Sequence, residues 1–263
     1  MRRLCFRLHR LLAIVALGAI ASAQQVADEP EANPARPTVA TPATLTPVGY
    51  LQFETGVLGA RHSPEFGTRT ALNEVIKLAV TKRLQLLAVT EPLVRYSAEG
   101  VSANAASGVL LGFQTVLHHG EGARPTLSAN YLREAFGGDA PDLDLGSPRN
   151  SFVLLASADV KGFHYDANAM FNEVRQEPVS RLQTGQTLSV SHKLGRGFGL
   201  AGELWHFTQP FLRGHTVGNL WAVSYTARRN LVFDAGFNRG LTSTSTRWEV
   251  FAGFTYLVPK RLW

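Results

Sequence analysis

Residues 161–173, KGFHYDANAMFNE, interleave two unlike lists. Phe163, Tyr165, Ala167, Ala169 and Phe171 form one; His164, Asp166, Asn168, Met170 and Asn172 form the other. A period of two marks an extended strand with two distinct faces. In a soluble sandwich the apolar list would be core. In a closed barrel set in lipid it would face outward, and the polar list would line a lumen.

The pattern recurs along the chain. Twelve strand-like segments fall between Val48 and Val258, at about 48–60, 70–80, 84–96, 106–118, 125–135, 150–160, 162–173, 182–193, 197–208, 216–227, 230–241 and 246–258. Most are longer than the ~5–6 residues of soluble strands and suit tilted membrane strands of ~9–11 or more. Connections alternate in length. Short turns are expected at Thr81–Arg83, His119–Arg124, Lys161, Leu194–Arg196 and Arg228–Arg229. Longer loops are expected at Arg61–Arg69, Ser97–Ala105, Phe136–Arg149, Val174–Arg181 and Gln209–His215, with a shorter one at Thr242–Ser245. Outer-membrane barrels alternate in this way, and an even strand count returns both termini to one side.

The start of the chain points to secretion. Arg2, Arg3, Arg7 and Arg10 precede an apolar run, Leu11–Ala21, and small residues at Ala21 and Ala23 offer a cleavage site. This reads as a signal peptide over 1–23, with a run too short to span a bilayer. Without it, 22 basic residues face 20 acidic ones, so the basic balance of the whole chain is no argument for nucleic-acid binding. Cys5, the single cysteine, would leave as well, so no disulfide or thiolate chemistry is expected.

Residues 24–47 hold five of the 13 prolines and few large apolar residues, which reads as a disordered periplasmic linker. Asn-Pro-Ala at 33–35 resembles a motif in the plug of fatty-acid channels, but its neighbours favour a linker.

The expected fold is therefore all-β: one antiparallel transmembrane barrel of about 12 strands over 48–263. Its inner face is expected to carry Glu54 with Gln52, Lys77, Glu91 with Arg95, His164 with Asp166, Asn168, Glu203, and Asp234 with Asn238. Charges facing a narrow lumen must pair or meet water. Residues of this kind can brace the barrel or contact a solute.

Catalysis needs more than these residues offer. Seven histidines remain after Ala23, and none sits in a nucleophile motif such as Gly-x-Ser-x-Gly. His164 and Asp166 could orient an imidazole, yet no partner serine is indicated. Adjacent histidines at 118–119 are a weak metal signal. GRGFG at 195–199 joins two strands and opens no helix, so it reads as a turn. No enzyme, metal or cofactor is expected. The expected partners are outer-membrane lipid and a small solute, with oligomeric state left open.

The segments VGYLQFETGV, VIKLAVTKRLQLLAVTEPLVRY and NLWAVSYTARRNLVFDAGFNRGLTSTSTRWEVFAGFTYLV resemble the bacterial outer-membrane transporter family of the meta-pathway of phenol degradation. The first segment has a central Glu54 and the second has Glu91 after a tight turn; in the third the matching positions are Tyr225, Asp234, Gly240, Leu241 and Phe254. Lys77 stands where that family usually has Arg, and the PKRLW ending departs from its pattern. The resemblance implies an outer-membrane barrel that admits small, aromatic or apolar compounds. A non-transporting structural or surface-interaction barrel, using the 136–149 loop, is the alternative; a lipid-modifying enzyme and a secreted sandwich are weaker ones.

Overall fold

The structure, a computed structural model, describes residues 30–141, 143–144, 148–176, 178–212 and 214–263. The expected signal peptide at 1–23 lies outside the described residues.

The chain runs through β1 (Leu51–Arg61), β2 (Thr68–Ala79), β3 (Leu84–Ala98), β4 (Val101–Ala105), β5 (Val109–His118), β6 (Thr126–Phe136) and β7 (Pro148–Val160). It continues through β8 (Phe163–Gln176), β9 (Val179–Gly195), β10 (Phe198–Gln209), β11 (Gly214–Arg228), β12 (Leu231–Gly240) and β13 (Trp248–Leu257). Each strand pairs antiparallel with its neighbour. The first strand also pairs with the last, from Gln52 opposite Leu257 to Arg61 opposite Trp248. That seam closes the sheet and removes its edges. Both β4 and β5 pair with β3. They are two pieces of one interrupted wall strand, so the wall is a closed barrel of 12 strands.

The interruption has a local cause. In β2 and β3 the register shifts between Leu72 and Glu74. Pro92 lacks the N–H that a regular ladder would use there. Ser107 bridges the gap: its hydroxyl accepts from the Glu91 N–H at 2.8 Å, and its N–H donates to the Glu91 carbonyl at 3.0 Å. The loop expected at Ser97–Ala105 is instead a hairpin tip. Glu99 and Gly100 both have positive φ, 50° and 81°, as a two-residue turn between twisted strands requires.

Burial follows the two-residue period. Along β8, Asp166, Asn168, Met170, Asn172 and Val174 are buried, whereas Phe163, Ala167 and Phe171 are exposed. Outside, Leu154, Leu188, Leu204, Trp221, Val223, Phe233, Phe237 and Val250 stand exposed. An apolar belt this continuous needs lipid rather than water. Aromatic pairs lie on that face, among them Phe152 with Phe171 and Phe198 with Tyr225. The tight turns also fall where expected. At the GRGFG stretch Gly195, Arg196 and Gly197 all take positive φ, which makes it a turn between β9 and β10.

The segment expected to be a disordered linker is the largest departure from the sequence reading. Over 30–47 it lies inside the barrel. It enters at the short-turn end, where the Ala32 N–H donates to the Arg229 carbonyl. It reaches mid-height at Thr38–Thr41 and returns to the same end at Thr46, which bonds Gln85 in β3. Ala40 and Ala43 are wholly buried. Its prolines remove five backbone donors from a stretch that must satisfy the rest by hydrogen bonding to side chains.

Candidate functional site within the barrel

The inner wall meets the inserted segment through acceptors aimed at its backbone. Both carboxylate oxygens of Glu203 on β10 accept from the segment: Oε2 from the Val39 N–H and Oε1 from the Ala40 N–H, each at 2.7 Å. Glu54 on β1 accepts from the Ala35 and Arg36 N–H groups and from Gln52, and its charge is met by the Lys77 ammonium on β2. Asn168 on β8 both accepts from the Thr41 N–H, at 2.7 Å, and donates to its carbonyl, at 3.0 Å. Ser157 on β7 accepts from the Ala43 N–H, and Ser128 on β6 donates to the Ala43 carbonyl. Gln114 donates to the Pro42 carbonyl at 2.9 Å.

Two side chains of the segment make ion pairs with the barrel among the described residues: Glu31 with Arg229 at the short-turn end, and Arg36 deeper inside. Its guanidinium grips Asp234 on β12, Nε to Oδ2 at 3.2 Å and a terminal nitrogen to Oδ1 at 3.1 Å. Room for it comes from Gly56 and Gly253, which face each other across the β1–β13 seam. A Cβ at Gly56 would stand 2.4 Å from the guanidinium, and one at Gly253 would stand 2.8 Å away. Apolar contacts complete the seat. Ala43 packs with Val153, Leu155, Met170, Trp205 and Phe207, and Val39 packs against the same group. Met170, the apolar member of the polar list in β8, thus belongs to an internal core.

At the long-loop end, the connection between β6 and β7 turns inward. Arg69, 2 % exposed, donates from Nε to the Pro141 carbonyl and pairs through its other nitrogens with Glu91. Asp144 is buried as well. Its Oδ1 accepts from the Thr246 N–H at 2.8 Å, and its carbonyl accepts from Gln183 and Gln209. Burial pushes the Asp144 carboxyl up to about 6, against the lowering effect of the Thr246 hydrogen bond. Pro141, Leu143 and Asp144 thus turn into the lumen, whereas Gly137, Gly138 and Asp139 stay exposed.

Between the inserted segment and the inward loop lies a cavity of about 420 Å3. Leu143 and Asp144 border it on one side and Ala35–Val39 with Thr41 on the other, with Trp205, Phe207, Leu220 and Phe251 on the wall. Trp205 donates its indole N–H to Asn238, whose amide donates in turn to Glu249.

Nine of the ten residues singled out from the sequence sit on the inner side: Glu54, Lys77, Glu91, His164, Asp166, Asn168, Glu203, Asp234 and Asn238. Arg95 does not. It is exposed on the outer side, and its neighbour Val94 is fully buried. The register shift at Glu91–Pro92 inverts the faces beyond it, because a bulge puts one extra residue into one strand.

His164 lies at the short-turn end, with Nδ1 2.8 Å from Asp159 and Nε2 3.2 Å from Asp166. Asp166 also accepts from Ser157. The order is serine, aspartate, histidine. A nucleophilic triad needs the imidazole between the other two, within reach of the serine oxygen. Ser157, Arg69, Asp144, Trp205 and Glu249 were not singled out in sequence. The signal that could have found them is the excess of inward polar positions over what a narrow, water-poor lumen can leave unpaired.

No protein-family model matches the chain, and no curated protein sequence matches it. Solved structures do. An outer membrane channel from Pseudomonas putida F1 shares 14 % identity at a TM-score of 0.58, over 82 % of this chain and 98 % of that one. The NanC porin shares 8 % identity at a TM-score of 0.55, over 78 % of this chain and 98 % of the porin. At such identities the likeness is one of fold, and the fold is that of the outer-membrane barrel.

Proposed function

We propose that this protein resides in the outer membrane and passes small molecules through its lumen, with residues 30–47 as a resident occupant that must shift for passage. The observation that carries this reading is how the segment is held. Its contacts with the barrel are hydrogen bonds, the ion pairs Arg36–Asp234 and Glu31–Arg229, and packing, all reversible. A cavity already lies ahead of it, large enough for a small organic molecule. The channel and porin among the structural neighbours support the same reading, as does the resemblance to transporters of the phenol meta-pathway. Residues 1–23 would direct export as a cleaved signal peptide.

In this reading Glu54, Lys77, Asn168, Glu203 and Asp234 hold the segment. Glu91 and Asn238 shape the cavity. His164 and Asp166 lie at the short-turn mouth. Selection would come from width and from fixed charges at close quarters. No catalytic step is assigned.

The filled short-turn half of the lumen favours a second reading, a barrel that stays shut and serves the membrane structurally. Planar-bilayer recordings and liposome flux separate the two. Full-length protein is compared with a variant lacking 30–47. The channel reading expects low or intermittent conductance from the first and a severalfold larger, steady conductance from the second. A folded deletion variant that neither conducts nor admits solutes sinks it.

A further inference from the structure

The charges around the cavity do not balance. Arg69 is committed to Glu91, and Arg36 to Asp234. Glu134, Asp144 and Glu249 also border the space, and none has a cationic partner among the described residues. Two of these are deeply buried, Asp144 at 6 % and Glu249 at 7 % exposure. Asp144 uses Oδ1 on the Thr246 N–H and leaves Oδ2 without a hydrogen-bond partner. A buried carboxylate oxygen with no donor costs the full desolvation of that atom. Burial lifts the Asp144 carboxyl to about 6, so at neutral pH it is mainly ionised and gains from any cation that arrives.

The wall beside these carboxylates is apolar and aromatic. Trp205 and Phe207 stack with centroids 5.4 Å apart and planes 22° from parallel, and both are 2 % exposed. The Trp205 N–H is engaged by Asn238, which fixes the ring. Phe251 adds a third ring. Aromatic faces attract cations, most strongly where water is excluded. Among the described residues no three His, Asp or Glu side chains converge as a metal site would require. The carboxylates are instead spread around a space with one greasy side.

We propose that the cavity between the inserted segment and the inward loop binds a small organic cation with an apolar body, an alkyl- or arylammonium. Asp144 and Glu249 meet the charge, and Trp205 and Phe207 take the apolar part. The proposal rests on the channel reading and names the solute class for the same lumen.

The test is equilibrium binding to full-length protein purified in detergent, measured calorimetrically. The probes are benzyltrimethylammonium, benzyl alcohol and benzoate, which share a ring and differ in charge. Saturable 1:1 binding of the cation is expected, at least tenfold tighter than benzyl alcohol, with benzoate the weakest. Asp144→Asn and Glu249→Gln are each expected to weaken the cation at least tenfold and to leave benzyl alcohol unchanged. Equal affinity for the cation and the alcohol, or tighter binding of benzoate, overturns the proposal on the unmodified protein alone, even where a variant does not fold. Binding in detergent involves no flux. Its failure leaves the channel reading standing, and a barrel that binds the cation but passes nothing fails that reading instead.

Discussion

Arg36 closes a two-pronged ion pair onto Asp234 across 198 positions of sequence, with the Asp234 side chain only 2 % exposed. One end of that pair belongs to the inserted segment and the other to the wall. The pair therefore reports whether the lumen is occupied.

Replacing Arg36 with Ala leaves Asp234 buried without its partner. Breaking a buried pair from one side costs about 3–5 kcal/mol. The expected outcome is a lower unfolding midpoint and a higher open probability in planar bilayers. The double replacement Arg36→Met with Asp234→Leu removes both charges and should recover most of the unfolding midpoint.

Glu203→Gln keeps the shape of the side chain but gives it one acceptor oxygen for two N–H groups. A hydrogen bond to a charged group contributes about 1.5–3 kcal/mol, more than a neutral one. Faster hydrogen exchange at Val39 and Ala40 is expected, with exchange in the barrel strands unchanged. Protection at those two amides equal to that of the unmodified protein would mean that Glu203 does not hold the segment.

A covalent lock provides the opposite perturbation. The Ala43 N–H donates to the Ser157 hydroxyl at 2.7 Å, so these positions face each other. Ala43→Cys with Ser157→Cys should form a disulfide under oxidising conditions and hold conductance at its floor. Reducing agent should restore the recordings of the unmodified protein. Free conductance with the disulfide shown to be formed would place the solute path elsewhere.

The seat of the inward loop should respond to pH. The Asp144 carboxyl is lifted from 3.8 to about 6 by burial. A raised carboxyl favours the seated state when protonated, so its contribution is complete below about pH 4 and is lost as pH rises through about 6. Two units correspond to at most about 3 kcal/mol. Proteolysis of the loop that carries Asp144 should accelerate as pH rises from about 4 to about 6 and level off above that. Asp144→Asn, which keeps an oxygen for the Thr246 N–H, should flatten that dependence.

The barrel was legible in sequence because lipid and lumen impose a strict period of two. Phe163 and Phe171 stand outside and Asn168 and Asn172 inside, as alternation requires. Arg95 escaped because a single register shift at Pro92 exchanges the faces, and no periodicity records where a bulge falls. The inserted segment escaped for another reason. Its backbone is satisfied by Gln52, Gln85, Ser157, Asn168 and Glu203, tens to well over a hundred residues away. Such bonds leave no local pattern, and proline-rich composition reads the same in a tether as in a strand of peptide held by side chains.

The partners of residues 33–46 are spread from β1 to β12, so the segment cannot settle until nearly the whole wall is in place. Contacts this distant in sequence form late, because each requires an ordered chain between its ends. The first described part of the chain is therefore among the last to find its place. Any mispaired strand would set Glu203, Asn168 or Asp234 at the wrong height for it. Seating of the segment is in effect a final inspection of the assembled cylinder, passed only when the strands that carry its partners lie in register.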